Sequence, residues 1–215
     1  MNLLFLQFLS GTILLLIILL LIMKKNFSVV FAYGLQSLIV VIILLNSFFE
    51  KGGLLMLLAI LVILVIKVIL APVFFIRLIK KYALSFSAST YLSTPMTLIV
   101  ITILVSIVHS HKFLPLTSIV PDHQVLLSLS LSAIFLSLFL IVNRKGALSQ
   151  IIGILSFENS IVVFAVFANL EQSATLQLGI IFDIFVWLMI ATVFISMLYK
   201  HFGTLDVSSM KHLTD

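Results

Sequence analysis

The chain is a succession of apolar runs, each close to the length that crosses a bilayer, separated by short segments that hold nearly all of its charge. The runs fall at about 3–23, 27–48, 53–78, 94–108, 124–142, 147–169 and 175–199, bounded by charges, glycines or prolines. Crossing a hydrocarbon core of ~30 Å takes ~20 apolar residues, and a helix satisfies its own backbone polar groups there. The pattern predicts an all-α, polytopic integral membrane protein with about seven transmembrane helices. With 63% hydrophobic and 9% charged residues, the chain has too little polar surface to cover a water-soluble globule. Seven spans within 215 residues leave short loops and no soluble domain. Three regions are predicted: helices one to three in 1–90, helix four and an outer loop in 91–123, and helices five to seven with a cytoplasmic tail in 124–215.

The first run has no basic segment ahead of it and no small-residue cleavage site, so it is read as a retained span. Orientation follows from the loops. Lys24, Lys25, Arg77, Lys80, Lys81, Arg144, Lys145, Lys200 and Lys211 fall on one side, against Lys51 and Lys112 on the other. This asymmetry predicts an outer N-terminus and a cytoplasmic C-terminus. The net charge of +5 then reports topology and anionic lipid headgroups, not nucleic acid. Tyr82, Tyr91 and Tyr199 fall near the predicted inner interface, and Thr94-Pro95 reads as a capping hydroxyl followed by a proline at the first position of helix four.

Much chemistry is excluded or unsupported. With zero cysteines there are no disulfides, no cysteine-ligated clusters and no covalent haem attachment. The chain lacks GxGxxG, a P-loop, HExxH and a nucleophile elbow, so no active site and no cofactor are predicted. His109, His111, Asp122 and His123 share the outer loop without a diagnostic spacing, and no metal site is assigned to them.

Three ionisable residues sit deep inside the apolar runs: Lys67, Glu158 and Asp183. A charge at the bilayer centre costs roughly 2.5 to 3.5 kcal/mol on insertion scales, which marks such residues as candidates for function. At ~1.5 Å of rise per residue, Lys67 and Glu158 both fall near the midplane, where they can meet, and Asp183 lies nearer the outer surface. Two acids and one base can be neutral together only if one acid keeps a proton, which suits a proton relay. Pro72 cannot donate to the carbonyl of Val68, so a local kink is expected beside Lys67. Asn159, with Gln36, Asn46 and Gln150, is a candidate to extend a polar track. The alternative is an inter-helix clamp in which Lys67 pairs with an acid and moves no proton.

A weak internal repeat is also legible: Lys24-Lys25-Asn26 through Gly34 to Lys67 parallels Arg144-Lys145-Gly146 through Gly153 to Asp183, with Glu50 and Glu171 in the corresponding outer turns. Helices one to three would then be a parallel copy of five to seven.

Glu158-Asn159, Asp183, the segment Lys67-Val68-Ile69-Leu70-Ala71-Pro72 and the tail Gly203-Thr204-Leu205-Asp206-Val207 together resemble component E of the hydrogenase-4 and formate hydrogenlyase class, over most of the chain. The last three helices are also similar to the K-type membrane subunit of respiratory complex I and to the C-type subunit of multisubunit sodium/proton antiporters. With Gly153 and Asn159 aligned, Leu155 holds the place of the K-type subunit's first buried glutamate, and Glu158 lies one turn away on the same face. Asp183 falls near the second. The resemblance implies a small subunit of an energy-converting complex in a bacterial inner or archaeal cytoplasmic membrane. Antiporter-like membrane subunits would flank it and a cytoplasmic redox arm would carry the oxidoreductase chemistry. Glu158 and Asp183 would exchange protons and Lys67 would tune them. A purely structural adaptor and a free-standing small ion transporter are the competing readings.

Overall fold

A computed structural model describes residues 3–81 and 89–170. The elements are α1 (Leu3–Ile22), α2 (Asn26–Lys51), α3 (Leu54–Ile63), a π segment (Leu64–Leu70), α4 (Ala71–Lys81), α5 (Thr94–Val108), α6 (Leu114–Thr117), α7 (Gln124–Asn143) and α8 (Ala147–Phe167). Short 3-10 turns flank α6. Among the described residues there is no strand, only an isolated bridge between Thr90 and Arg144. The predicted run at 175–199, with Asp183, lies outside the described residues, as do Tyr82, Tyr199, Glu171 and the tail.

Among the described residues five stretches are long and apolar enough to cross a membrane: Leu3–Ile22, Asn26–Glu50, Met56–Lys80, Pro121–Asn143 and Ala147–Phe167. The fourth predicted span is different. α5 has 15 residues, about 22 Å at ~1.5 Å each, and reaches spanning length only together with His111–Thr117, from which it is bent by 54°. Pro115 and Pro121 break the helical ladder in this region, so the outer connection forms short turns.

α1, α2, α8 and α7 close into a four-helix ring, each packed on the next, with α7 returning to α1. The α3–π–α4 rod lies on α2, and α5 lies on α7. The ring inverts the usual distribution of residues. Phe31 is 69% and Val142 72% exposed, whereas Ser37, Ser132, Ser137, Ser156 and Ser160 are fully buried between helices. An apolar exterior suits lipid better than water, and small residues at the seams let backbones approach closely. Three of these hydroxyls bond within their own helices: Ser132 Oγ donates to the Ser128 carbonyl (2.8 Å), Ser137 Oγ to the Ala133 carbonyl (2.8 Å) and Ser160 Oγ to the Ser156 carbonyl (2.9 Å).

Two glycines set the tightest crossings. A Cβ on Gly153 would lie 3.0 Å from Ile141 Cγ1 and 3.3 Å from the Ile141 backbone, so α7 and α8 touch there main chain to main chain. A Cβ on Gly34 would lie 3.3 Å from Pro72 Cγ, which seats α4 against α2. The α2–α3 turn needs glycine for another reason. Gly52 and Gly53 have φ of 69° and 124°, conformations that L side chains resist.

α5 starts differently from the sequence expectation. Its N-cap is Ser93, not Thr94, and no side chain caps it; Thr97 N–H instead donates to the Ser93 carbonyl (2.9 Å), with Pro95 inside the first turn. Proline supplies no amide hydrogen to satisfy, so the start needs one donor fewer.

Candidate functional site

Lys67 sits in the π segment, 11 residues after Met56 and 13 before Lys80, in the middle of its membrane-length stretch. Pro72 explains the wide turn. Its ring crowds the carbonyl four residues back and it has no N–H to give, and the ladder immediately before it runs in five-residue steps: Ala71 N–H donates to the Ile66 carbonyl. The sequence predicted a disturbance of the helix here; seven residues of π-helix lead up to the proline. A π turn adds residues to a turn and so rotates the side chains within it relative to an α-helical register. In this register Lys67 reaches α8 and is 1% exposed.

Its ammonium lies 3.1 Å from Glu158 Oε1 and donates to Asn159 Oδ1 at 2.9 Å. Glu158 is 13% exposed and lies at the twelfth position of the 21-residue α8, so both partners occupy the central third of their helices. An ammonium can only donate, which fixes the orientation of the Asn159 amide: Oδ1 faces Lys67 and Nδ2 donates to Ser37 Oγ on α2 (3.0 Å). Consecutive residues of α8 thus hold the lysine from two directions, one by charge and one by dipole. One turn before Asn159, Ser156 Oγ donates to Gln36 Oε1 (2.9 Å), and on the α7 side Ser137 Oγ lies 3.2 Å from Ser160 Oγ. Buried hydroxyls and amides from α2, α7 and α8 therefore continue from the ion pair into the middle of the ring.

The sequence-predicted residues separate into three groups. Lys67, Glu158 and Asn159 come together, and Gln36 accepts from Ser156 one turn before Asn159 on α8. Asn46 and Gln150 do not join: Asn46 bonds Glu50 at one end of the bundle, and Gln150 Nε2 donates to the Arg144 carbonyl (2.8 Å) at the other. Asp183 lies outside the described residues. Leu155 is buried in the apolar core. His109, His111 and His123 do not converge, and among the described residues no three His, Asp or Glu side chains form a metal-binding group.

Sequence reasoning missed Arg144. Read there as a loop charge, it is fully buried, and its guanidinium donates to the Leu20 and Met23 carbonyls at the end of α1, the latter at 2.7 Å. Those carbonyls lie in and just past the last turn of α1, where no following helical amide is left to donate to them, and a cation there also meets the negative end of the helix dipole. Burial lowers the pKa of Arg144 to about 10, so the group stays cationic at neutral pH. Around it, Asn143 Oδ1 accepts from Leu92 N–H (3.0 Å), Lys145 N–H donates to the Ser89 carbonyl (3.1 Å), and the Lys145 ammonium lies 5.2 Å from the Tyr91 ring centre. The only sequence signal was the choice of arginine, whose forked donors suit two carbonyls at once.

Comparison of the chain with protein-family models, with curated proteins and with solved structures found no match. Fold and site define a class: an all-helical protein with several apolar helices of membrane-spanning length and a buried lysine–glutamate pair within its helix packing.

Proposed function

We propose that the protein is a multi-pass membrane subunit of an energy-converting, hydrogenase-like or complex I-like oxidoreductase complex, and that it contributes to proton translocation or its coupling. In this reading the chain has about seven spans, an outer N-terminus and a cytoplasmic C-terminus. Glu158 and Asp183 exchange protons, and Lys67 tunes their affinity. Antiporter-like membrane subunits and a cytoplasmic redox arm are its partners, and the redox chemistry is theirs. The resemblance to component E of the hydrogenase-4 class supplies the context.

The observation that carries the reading is the 3.1 Å contact of Lys67 Nζ with Glu158 Oε1 at mid-helix, continued by Asn159 and Ser37. A carboxylate beside an ammonium holds its proton weakly; if the lysine shifts to another acceptor, the same carboxylate in an apolar setting holds it strongly. Alternation between those two conditions is what a relay needs. The same contacts support a second reading, a structural adaptor in which the pair is a clamp, because Asn159 locks the ammonium from its other side.

The test is Glu158→Gln in the reconstituted parent complex. Glutamine keeps an acceptor for Lys67 and cannot carry the proton. Assembly and redox turnover should persist while proton translocation is lost. Normal translocation would sink the relay and leave the clamp.

A further inference from the structure

We propose that the cavity at the Glu50 end of the bundle is the hydrated outer mouth of the proton route, in which Glu50 and His123 exchange protons with outside water. The inference rests on the proton-translocating reading above and adds to it the place where protons meet bulk solvent.

The cavity has a volume of about 230 Å³ and lies where the ends of α1, α2 and α8 meet the turn before α7. Its polar lining is Asn46, Ser47, Glu50, His123 and Asn169, and its volume has room for several waters with polar partners on different walls. Polarity is graded with depth. Glu50 and Asn169 are exposed at the rim, His123 is half-buried, and Asn46 and Ser47 are buried below them. This end of the bundle is opposite the one that carries Lys24, Lys25 and Arg144.

The lining is built, not incidental. Asn46 Nδ2 donates to Glu50 Oε1 (3.0 Å) one turn further along α2, which holds the carboxylate over the cavity. His123 Nδ1 is 3.1 Å from the Phe167 carbonyl, which can only accept, so the hydrogen sits on Nδ1 and Nε2 is left as an acceptor. That contact also ties the turn before α7 to the end of α8. There Asn169, at φ 57°, lets Leu170 N–H return to the Ala165 carbonyl (2.9 Å) and ends the helix at the rim. Of the other elements, α1 contributes Leu3 and Leu6 and α8 contributes Val166 and Phe167, which do not titrate. Asp122 adjoins His123 in its turn, and Lys51 follows Glu50 in the chain.

The cavity also lies on the seam that holds the ion pair. Its floor includes Ile43 and Val166, six residues beyond Ser37 on α2 and seven beyond Asn159 on α8, which is about 10 Å at ~1.5 Å per residue. Val40, Val41, Val162 and Val163 bury their side chains in those two turns. The outer mouth and the buried relay therefore share two helices and are separated by a thin apolar barrier. Such a barrier blocks continuous leakage and passes a proton only when water enters it. Each exchange at the mouth moves one proton: a carboxyl at Glu50 releases it to water, and the resulting carboxylate takes the next from the inner side.

The chain contains no cysteine, so single thiols can be introduced without background. In oriented vesicles holding the parent complex, Ser47→Cys should react from the outside with a cationic, membrane-impermeant methanethiosulfonate, and faster than with an anionic one. Val40→Cys should not react. Glu50→Gln should narrow the difference between the reagents and slow proton translocation roughly tenfold, short of the ~10²–10⁴ of a positioned proton-transfer group because mouth water partly substitutes. Glutamine can accept the same bond from Asn46, so loss of the fold is not the expected cause. An unreactive Ser47→Cys, or one reached only from the cytoplasmic side, would overturn the proposal. So would unchanged translocation in Glu50→Gln when Glu158→Gln abolishes it; unchanged translocation in both would bring down the proposed function as well.

Discussion

Among the described residues two cations are fully buried, and they are held in different ways. Arg144, at one end of the ring, gives hydrogen bonds to the Leu20 and Met23 carbonyls of α1. Lys67, in the middle of the bundle, meets the carboxylate of Glu158 and the amide of Asn159. A carbonyl offers a fixed dipole that cannot change its charge under any working condition. A carboxylate can take up a proton, and its doing so changes the whole balance around the lysine. One buried cation therefore bonds carbonyls at a helix end, and the other is paired with a group whose charge can change. Placement differs too: the anchor lies at the helix termini, where orphan carbonyls are concentrated, and the Lys67–Glu158 pair lies within its helices.

Substitutions can break this comparison at either pole. The largest expected effect is from Lys67→Leu, which strands the Glu158 carboxylate in the packing. Breaking one side of a buried pair costs about 3–5 kcal/mol, so the yield of folded protein in detergent should fall sharply. Adding Glu158→Leu should recover most of that loss, because removing both charges from an apolar site is often neutral or better. Arg144→Met comes next. It leaves the α1 carbonyls to find water at the helix end, at about 1–3 kcal/mol, seen as a lower unfolding temperature with translocation per folded complex unchanged. If Arg144→Met instead removed translocation with stability intact, the contrast between anchor and exchanger would be wrong.

Gly153→Ala tests the geometry that supports the pair. Its Cβ would press on the Ile141 backbone, and forced separation of packed elements costs about 1–3 kcal/mol, with Gly34→Ala milder because its neighbour is one ring carbon of Pro72. The smallest effect is expected at Gly11, where a Cβ meets nothing within 4 Å. Alanine there should leave the unfolding temperature unchanged or raise it slightly, by up to ~1 kcal/mol of helix preference. A large loss at Gly11 would mean that α1 has a tight neighbour on that face.

The same contrast separates what was legible in the sequence from what was not. Depth was legible, because rise per residue is constant and charges mark the helix ends; Lys67 and Glu158 were expected at one level and lie in contact there. Azimuth was not, since apolar residues surround these helices and give no periodic face to count from. Asn159 was therefore a candidate without a direction, while Asn46 and Gln150, equally plausible as track members, belong to opposite ends of the bundle. Pro72 announced a disturbance, but not that it takes the form of a π segment or that the proline packs on Gly34. Arg144 was misread because a charge count sees a loop residue and not the carbonyls that α1 brings to it. The bent α5–α6 stretch shows the limit of length counting: its apolar residues suffice, but the helix breaks after Val108 and turns by 54°.

The most direct measurement is proton translocation, per redox turnover, by the parent complex carrying Lys67→Leu together with Glu158→Leu. Replacing both charges removes the penalty of a stranded ion, so the variant should assemble and turn over. If the pair exchanges protons, that complex should turn over without translocating. If translocation is normal, Lys67 and Glu158 hold helices together and do nothing more.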